Sequence, residues 1–138
     1  MSEGTAMDMK NWLREQMSAD KRRALPVLSF PSIQLLDITV RDLIRSSDAQ
    51  AAGMAAIAKR CPTAASVSLM DLSVEAECFG SEIRVTDDEV PTVVGAVVET
   101  MEDVERLKVP QVGNGRTGIY VEAIQKALEQ ITDRPVFA

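Results

Sequence analysis

The sequence contains no histidine, two cysteines and few aromatic residues, and each shortage excludes a class of protein. Zinc sites need closely spaced sulfur and imidazole ligands, but Cys61 and Cys78 lie far apart and no histidine accompanies them. Aromatic residues make up 4% of the chain, too few for the stacking surfaces that bind single-stranded nucleic acid. The net charge of -6 leaves no basic surplus to neutralise phosphates, so we expect no nucleic-acid partner.

Long apolar runs are also missing. Residues 1–10 are polar and lack the apolar core of a signal peptide. The most apolar stretch, residues 49–58, is far shorter than the roughly 20 residues that a membrane span needs. Two reduced thiols fit the cytoplasm. We therefore expect a cytoplasmic protein with no membrane partner, in which the basic run 21–23 and the acidic triplet 87–89 are solvated surface.

What is present is one continuous alternation of strands and helices. Three apolar runs predict strands: residues 25–30, 66–70 and 135–137. Periodicity and capping residues predict helices over residues 7–17, 40–45, 48–60, 74–79, 101–107 and 119–131. Residues 31–34 and 110–118 are predicted loops. Long crossovers between successive strands are typical of right-handed parallel β/α units, so the predicted fold class is α/β with parallel strands.

The predicted strands are too few to close such a fold. Three parallel strands leave backbone edges unpaired and apolar faces uncovered, which natural proteins usually avoid. A closed eightfold β/α barrel takes roughly 250 residues. We therefore expect the chain to be an incomplete part of a larger unit.

Candidate site residues follow the predicted strands, because parallel folds place their chemistry at the carboxyl ends of strands. Asp71 follows the second strand and is the candidate catalytic residue; it would orient a substrate group or accept a proton, or else cap the next turn. Ser29 at the end of the first strand, and Ser32 and Gln34 after it, are candidates for substrate binding, or plain loop residues. The glycine-rich segment 113–118 lacks the lysine of a phosphate-binding loop and is predicted to cap a helix.

Residues 66–95 resemble the uroporphyrinogen decarboxylase superfamily, especially its methylcobalamin-dependent methyltransferase branch. The matching features are Asp71 at a strand end, the acidic-Ala-x-x-Phe-Gly pattern of residues 75–80, and the Glu-Val-Pro of residues 89–91. The short helix and proline of residues 102–110 extend the resemblance, which covers nearly all of the chain from Leu25 onward. It implies, over residues 25–138, the first part of a TIM (β/α)8 barrel. Residues 1–24, which include the predicted helix over residues 7–17, are expected to form a separate N-terminal helical segment.

The residues after the first strand separate the branches of the superfamily. Its decarboxylases carry an arginine-rich segment there, suited to a tetracarboxylate substrate, and their aspartate matching Asp71 faces that substrate. Residues 30–36 of this chain contain no arginine. The resemblance therefore implies a methyltransferase that moves a methyl group between a corrinoid (methylcobalamin) on a partner protein and a small acceptor, a thiol or tetrahydrofolate.

Two alternatives stay open: a decarboxylase of the uroporphyrinogen type, and an inactive fragment that self-associates as a homo-oligomer. The thiol-accepting members of the superfamily hold zinc with a His-x-Cys pair and a distant cysteine. Those positions would fall after Ala138, so no metal ligand is assigned to this chain.

Overall fold

The computed structural model describes residues 7–138. Seven helices and four short strands are found in that range, together with a 3-10 turn at Phe30–Ser32. The helices are α1 Met9–Ser18, α2 Ile33–Leu36, α3 Val40–Arg45, α4 Ser47–Arg60, α5 Val74–Cys78, α6 Met101–Arg106 and α7 Arg116–Gln130. The strands are β1 Ser66–Val67, β2 Glu82–Arg84, β3 Thr92–Val94 and β4 Val136–Phe137.

The helices predicted from sequence are confirmed, because their end signals are local. The Ser46 hydroxyl accepts a hydrogen bond from the Ala49 amide and begins α4, as expected of an N-cap. Thr100 caps α6 in the same way and forms a capping box with Asp103. Helix α7 begins a few residues earlier than predicted, at Arg116.

The largest apolar cluster lies between α4 and α7. Its members are small or flexible, so the two helices approach closely and exclude water. They are Ala51, Met54, Ala55, Ala58, Ala127 and Ile131. A second cluster joins α3 to the end of the β1 segment through Val40, Leu43, Ile44 and Leu69. Burying the side chains of the first cluster is the main term that holds α7 against α4.

Strands β1 and β4 are parallel neighbours, and Ser66 pairs with Val136. Helices α5, α6 and α7 and the β2–β3 hairpin connect them, so the parallel β/α arrangement expected from sequence is confirmed. The predicted strand over residues 66–70 is shorter in the structure: its ladder ends at Val67, although the amide of Ser68 still donates to the carbonyl of Phe137 at 2.8 Å.

The predicted strand over residues 25–30 is wrong in the structure. This segment lies beside β1, but among the residues described no backbone hydrogen bond joins residues 25–30 to β1. The Ala64 amide donates to the Ala24 carbonyl just before the two segments. A strand requires a paired ladder, and none forms here. Phe30 then starts the 3-10 turn and α2, so residues 31–34 are helical and not a loop.

The antiparallel pair β2–β3 projects from this core. Its turn is fixed to α3 by Arg41, which donates to Asp87 Oδ1 at 2.8 Å and to the Val85 carbonyl at 2.9 Å. The acidic triplet 87–89 is exposed, as predicted for a solvated loop.

Helix α1 lies on the surface and buries no residue fully. Trp12 packs edge-to-face on Phe137, with the ring centroids 5.8 Å apart. The proposed boundary after residue 24 is not marked by a separate core. The polar N-terminal residues 1–6 lie outside the described residues. Within residues 7–138, every helix is too short or too polar to cross a membrane.

Candidate functional site

A cluster of charged and hydroxyl side chains lies just beyond the carboxyl end of β1. Arg116 is at its centre: Nη1 donates to Asp71 Oδ2 at 2.5 Å, Nε to Glu77 Oε2 at 2.5 Å and Nη2 to Ser73 Oγ at 2.9 Å. The Tyr120 hydroxyl donates to Asp71 Oδ2 at 2.6 Å. We call Asp71, Ser73, Glu77, Arg116 and Tyr120 the Asp71–Arg116 cluster.

Three elements supply this cluster. Asp71 and Ser73 belong to the turn between β1 and α5, where Ser73 donates through both its amide, at 2.9 Å, and its hydroxyl, at 2.6 Å, to Asp71 Oδ1. Glu77 lies on α5. Arg116 and Tyr120 are one turn apart at the start of α7, so both side chains reach the same carboxylate.

The entry into α7 brings Arg116 to this place. Gly115 has a φ of 54°, which disfavours any side chain, and a Cβ there would lie 3.3 Å from the sulfur of Cys78. The Cys78 thiol in turn donates to the Asn114 carbonyl at 3.1 Å. The glycine-rich loop therefore packs against α5, and its Gly115 is the N-cap residue of α7, without a side-chain hydrogen bond at the cap.

The cluster fixes the protonation state of its members. Burial would raise the pKa of Asp71, but hydrogen bonds from Ser73, Tyr120 and Arg116 outweigh it and hold that pKa below its usual value. Burial raises the pKa of Tyr120, and its hydrogen bond to Asp71 raises it further. Burial would lower the pKa of Arg116, yet its bonds to Asp71 and Glu77 raise it. At neutral pH the group is therefore a carboxylate, a phenol and a guanidinium.

Asp71 has no acceptor position left for a substrate proton. Oδ1 accepts from the amide and hydroxyl of Ser73, and Oδ2 accepts from Arg116 and Tyr120. The side chain is 0% exposed. A saturated carboxylate of lowered pKa is a poor base, so this arrangement suits holding other groups in place.

A cleft of about 340 Å³ opens beside the cluster, between the β1 segment and α7. Its walls are mostly apolar, from residues such as Leu69, Met70 and Ile124. Asp71 and the exposed Glu75 are its charged lining residues, and no lysine or arginine lines it among the residues described. The cleft is thus large enough for a small molecule, and its lining charge is acidic.

A family profile described as uroporphyrinogen decarboxylase (URO-D) matches residues 27–138, most of the chain. The chain belongs to the uroporphyrinogen decarboxylase family. Over 56 residues it is 43% identical to the methylcobamide:CoM methyltransferase MtbA of Methanosarcina acetivorans; this match covers 40% of the chain and 16% of MtbA. The family resemblance seen in the sequence is therefore confirmed, and a methyltransferase is among its relatives.

A solved structure of a methyltransferase from Methanosarcina mazei superposes with a TM-score of 0.74 and 21% identity. The match covers 92% of this chain and 40% of that protein. At this identity the likeness concerns the fold, and it confirms the predicted part of a TIM barrel. The chain thus spans less than half the length of the relatives it matches.

Of the four site residues predicted from the sequence, only Asp71 lines the cleft in the described part of the chain. Asp71 lies at the carboxyl end of β1 and lines the cleft. Ser29 lies nearby, where its hydroxyl accepts from the Met70 amide at 3.3 Å, but it does not line the cleft. Ser32 is buried against α4, and Gln34 is exposed and lies outside the cleft lining. The expected common face for all four residues is therefore not formed in the described chain.

Ser32 has a clear packing role. Its hydroxyl donates to the Ser29 carbonyl at 2.6 Å, and a Cβ placed on Gly53 of α4 would come within 2.5 Å of the Ser32 hydroxyl oxygen. Close helix packing therefore turns this side chain away from the carboxyl end of β1. Substrate binding by Ser29, Ser32 and Gln34 stays a prediction.

Sequence reasoning missed Arg116, Tyr120 and Glu77. A charged residue in a glycine-rich loop is usually exposed, and nothing local indicates that Arg116 is buried. The one available signal is the four-residue spacing of Arg116 and Tyr120 on an amphipathic helix. That spacing places them on one face but does not identify the partner.

Among residues 7–138, no three side chains of cysteine, aspartate or glutamate come together in a way that could hold a metal ion. Both cysteines are unpaired thiols. The described residues therefore do not fit a zinc site, and no step is derived through zinc.

Proposed function

We propose that this chain is the N-terminal part of a barrel methyltransferase that moves a methyl group between a corrinoid on a partner protein and a small acceptor. The acceptor class is a thiol or tetrahydrofolate. Within this proposal, residues 25–138 form the first part of the barrel and residues 1–24 are an N-terminal addition. The protein acts in the cytoplasm.

The observation that carries the proposal is the acidic and apolar lining of the cleft beside Asp71. A substrate with four carboxylates requires several cations, and arginine forks supply them best. Here the guanidinium of Arg116 is 10% exposed, and its N–H groups already donate hydrogen bonds to Asp71, Glu77 and Ser73. This edge of the barrel therefore disfavours a porphyrinogen and favours a substrate without clustered carboxylates.

The similarity to MtbA supports the same reading, because its name describes the transfer of a methyl group from a cobamide to coenzyme M. The corrinoid would arrive as a substrate on its carrier protein. The residues of this chain would then bind and position the corrinoid and the acceptor.

We assign Asp71 a positioning role within this proposal. Its carboxylate fixes Tyr120 and Arg116, and these residues fix α7 against the turn that follows β1. Tyr120 and Thr117 of α7 line the cleft, so a displacement of α7 changes its shape. Errors of about 1 Å in the placement of a substrate can reduce rates about 100-fold.

The direct test is a methyl-transfer assay on the protein with methylcobalamin, in which the absorbance of the corrinoid reports demethylation. One reaction receives a thiol and another receives tetrahydrofolate. A third experiment measures decarboxylation of uroporphyrinogen. Demethylation that depends on one acceptor supports the proposal, whereas decarboxylation without methyl transfer would establish the alternative.

Asp71→Asn tests the assigned role, with Asp88→Asn as the matched control. Asn keeps the shape of Asp71 but weakens its bond to Arg116. We expect methyl transfer to fall about 100-fold in Asp71→Asn. Asp88 lies in the exposed acidic turn, and its variant should retain the wild-type rate. Equal rates in the two variants would refute the role of Asp71.

A further inference from the structure

A small cavity lies between residues 26–29 and residues 63–67, which include β1. Its volume is about 20 Å³, and α4 closes it with the apolar side chains of Met54 and Ile57. A cavity needs on the order of 10–15 Å³ to hold one water molecule. The space therefore suits one water molecule and is too small for an organic ligand.

Three residues with hydroxyl side chains line this cavity: Ser29, Thr63 and Ser66. All three residues are buried, at 8%, 7% and 7% exposure. The Ser66 hydroxyl has no hydrogen-bond partner among the described residues. Leaving such a group unpaired in the interior costs roughly 1–3 kcal/mol, so native proteins rarely do so.

The hydroxyl groups of Ser29 and Thr63 each accept a hydrogen bond but do not donate one to the described residues. Ser29 Oγ accepts from the Met70 amide at 3.3 Å, and Thr63 Oγ1 accepts from Arg134 Nη1 at 3.0 Å. Neither hydroxyl has an acceptor for its own proton within residues 7–138. The cavity is therefore lined by three O–H groups that can each donate a further hydrogen bond.

We propose that this cavity is a binding site for one ordered water molecule held by the hydroxyl of Ser66. Its second partner is the hydroxyl of Ser29 or Thr63, or a carbonyl of residues 26–28. Water both accepts and donates, which matches a site rich in unused donors beside an unpaired extended backbone.

The position of the site explains why residues 24–29 stay beside β1 without a strand ladder. One backbone hydrogen bond, Ala64 to Ala24, fixes the start of the segment, and Ser29 fixes its end at Met70. The water molecule supplies the missing link between these two points. Met70 immediately precedes Asp71. The water therefore helps to fix the position of the turn that contains Asp71 and Ser73.

A high-resolution crystal structure of the protein is the direct test. We expect a density peak within hydrogen-bond distance of Ser66 Oγ and of one further polar atom of the cavity. A cavity without density, or a peak that does not contact Ser66, overturns the proposal.

Ser66→Ala provides a second test in solution, with Ser68→Ala as the matched control. Ser68 directly follows β1 and lies outside the cavity. If the water is bound, Ser66→Ala removes a partner and lowers the thermal midpoint by roughly 2–4 °C more than Ser68→Ala does. If the cavity is dry, the variant removes an unpaired hydroxyl, and the midpoint stays equal or rises.

Ser66→Val separates the two cases further. Its added methyl groups displace a water molecule and leave the neighbouring hydroxyls unpaired, so we expect a larger loss than in Ser66→Ala. In a dry cavity the same methyl groups fill empty space and raise the midpoint. A rise in the midpoint of Ser66→Val overturns the proposal.

Discussion

The guanidinium group of Arg116 and the carboxylate of Asp71 meet at 2.5 Å although 45 positions separate them in the sequence. The Asp71 side chain is fully buried and that of Arg116 is 10% exposed. A buried ion pair of this kind contributes little to net stability, since both ions lose their hydration, but removing one partner leaves an uncompensated charge. A single substitution in the cluster should therefore lower the free energy of unfolding by much more than the intact pair contributes.

Replacing Arg116 by alanine should lower the free energy of unfolding by about 3–5 kcal/mol, because the carboxylates of Asp71 and Glu77 lose their shared cation. Urea denaturation measures the loss. Arg106→Ala is the control, since Arg106 pairs with Glu102 on the exposed face of α6 and such pairs contribute little. Equal losses in the two variants would show that the buried pair has no special role.

The stability of the protein should depend on Asp71 in acid. The folded-state pKa of Asp71 lies below its ordinary value because the hydrogen bonds of Ser73, Tyr120 and Arg116 outweigh burial. Its contribution is therefore present above an unfolded pKa of about 3.9 and is lost as the pH falls through the folded value. Each group of this kind changes the free energy of unfolding by up to about 1.4 kcal/mol per pH unit.

Asp71→Asn removes this titration, so unfolding curves between neutral and acidic pH should show a shallower decline below about pH 4 than the wild type. Asp88→Asn serves again as the control, because Asp88 lies in the exposed acidic turn and not in the buried cluster. A parallel decline in the wild type and Asp71→Asn would contradict the lowered pKa.

Tyr120 can be followed directly, because it is the one tyrosine of the sequence. Burial and the bond to Asp71 raise its pKa, so the phenol should stay protonated above pH 10, where a free tyrosine ionises. Its contribution to stability is present below about pH 10 and is lost as the pH rises further. Absorbance of the phenolate should therefore appear together with unfolding, and its appearance near pH 10 in the folded protein would refute the burial of the hydroxyl.

Gly53→Ala should destabilise the protein although alanine favours helices by about 1 kcal/mol over glycine. The new Cβ would lie 2.5 Å from the Ser32 hydroxyl oxygen and 3.0 Å from the Ser32 Cβ. Thermal melting measures the effect, and the double variant Gly53→Ala, Ser32→Gly should recover most of the loss. If the single variant is stabilised instead, Ser32 is free to move and its role in substrate binding becomes more plausible.

The sequence predicts the helices well because their signals are local. Thr39, Ser46 and Thr100 each accept from an amide of the following turn, and the bounds of α3 match the prediction. The strands were predicted less well. Residues 25–30 have the apolar composition of a strand, but a strand forms only when a neighbour pairs with it, and composition does not reveal that neighbour.

The sequence by itself determined the family and the parallel β/α arrangement, and it predicted Asp71 as a site residue. Only the tertiary structure decided which side chains surround Asp71 and form hydrogen bonds with it. Folding brings Arg116 and Tyr120 to Asp71 through the packing of α7 on α4, and it turns Ser32 into the interior against Gly53. The physical reason is that burial and pairing are properties of contacts between distant residues, whereas caps, periodicity and motifs are carried by neighbours in the chain.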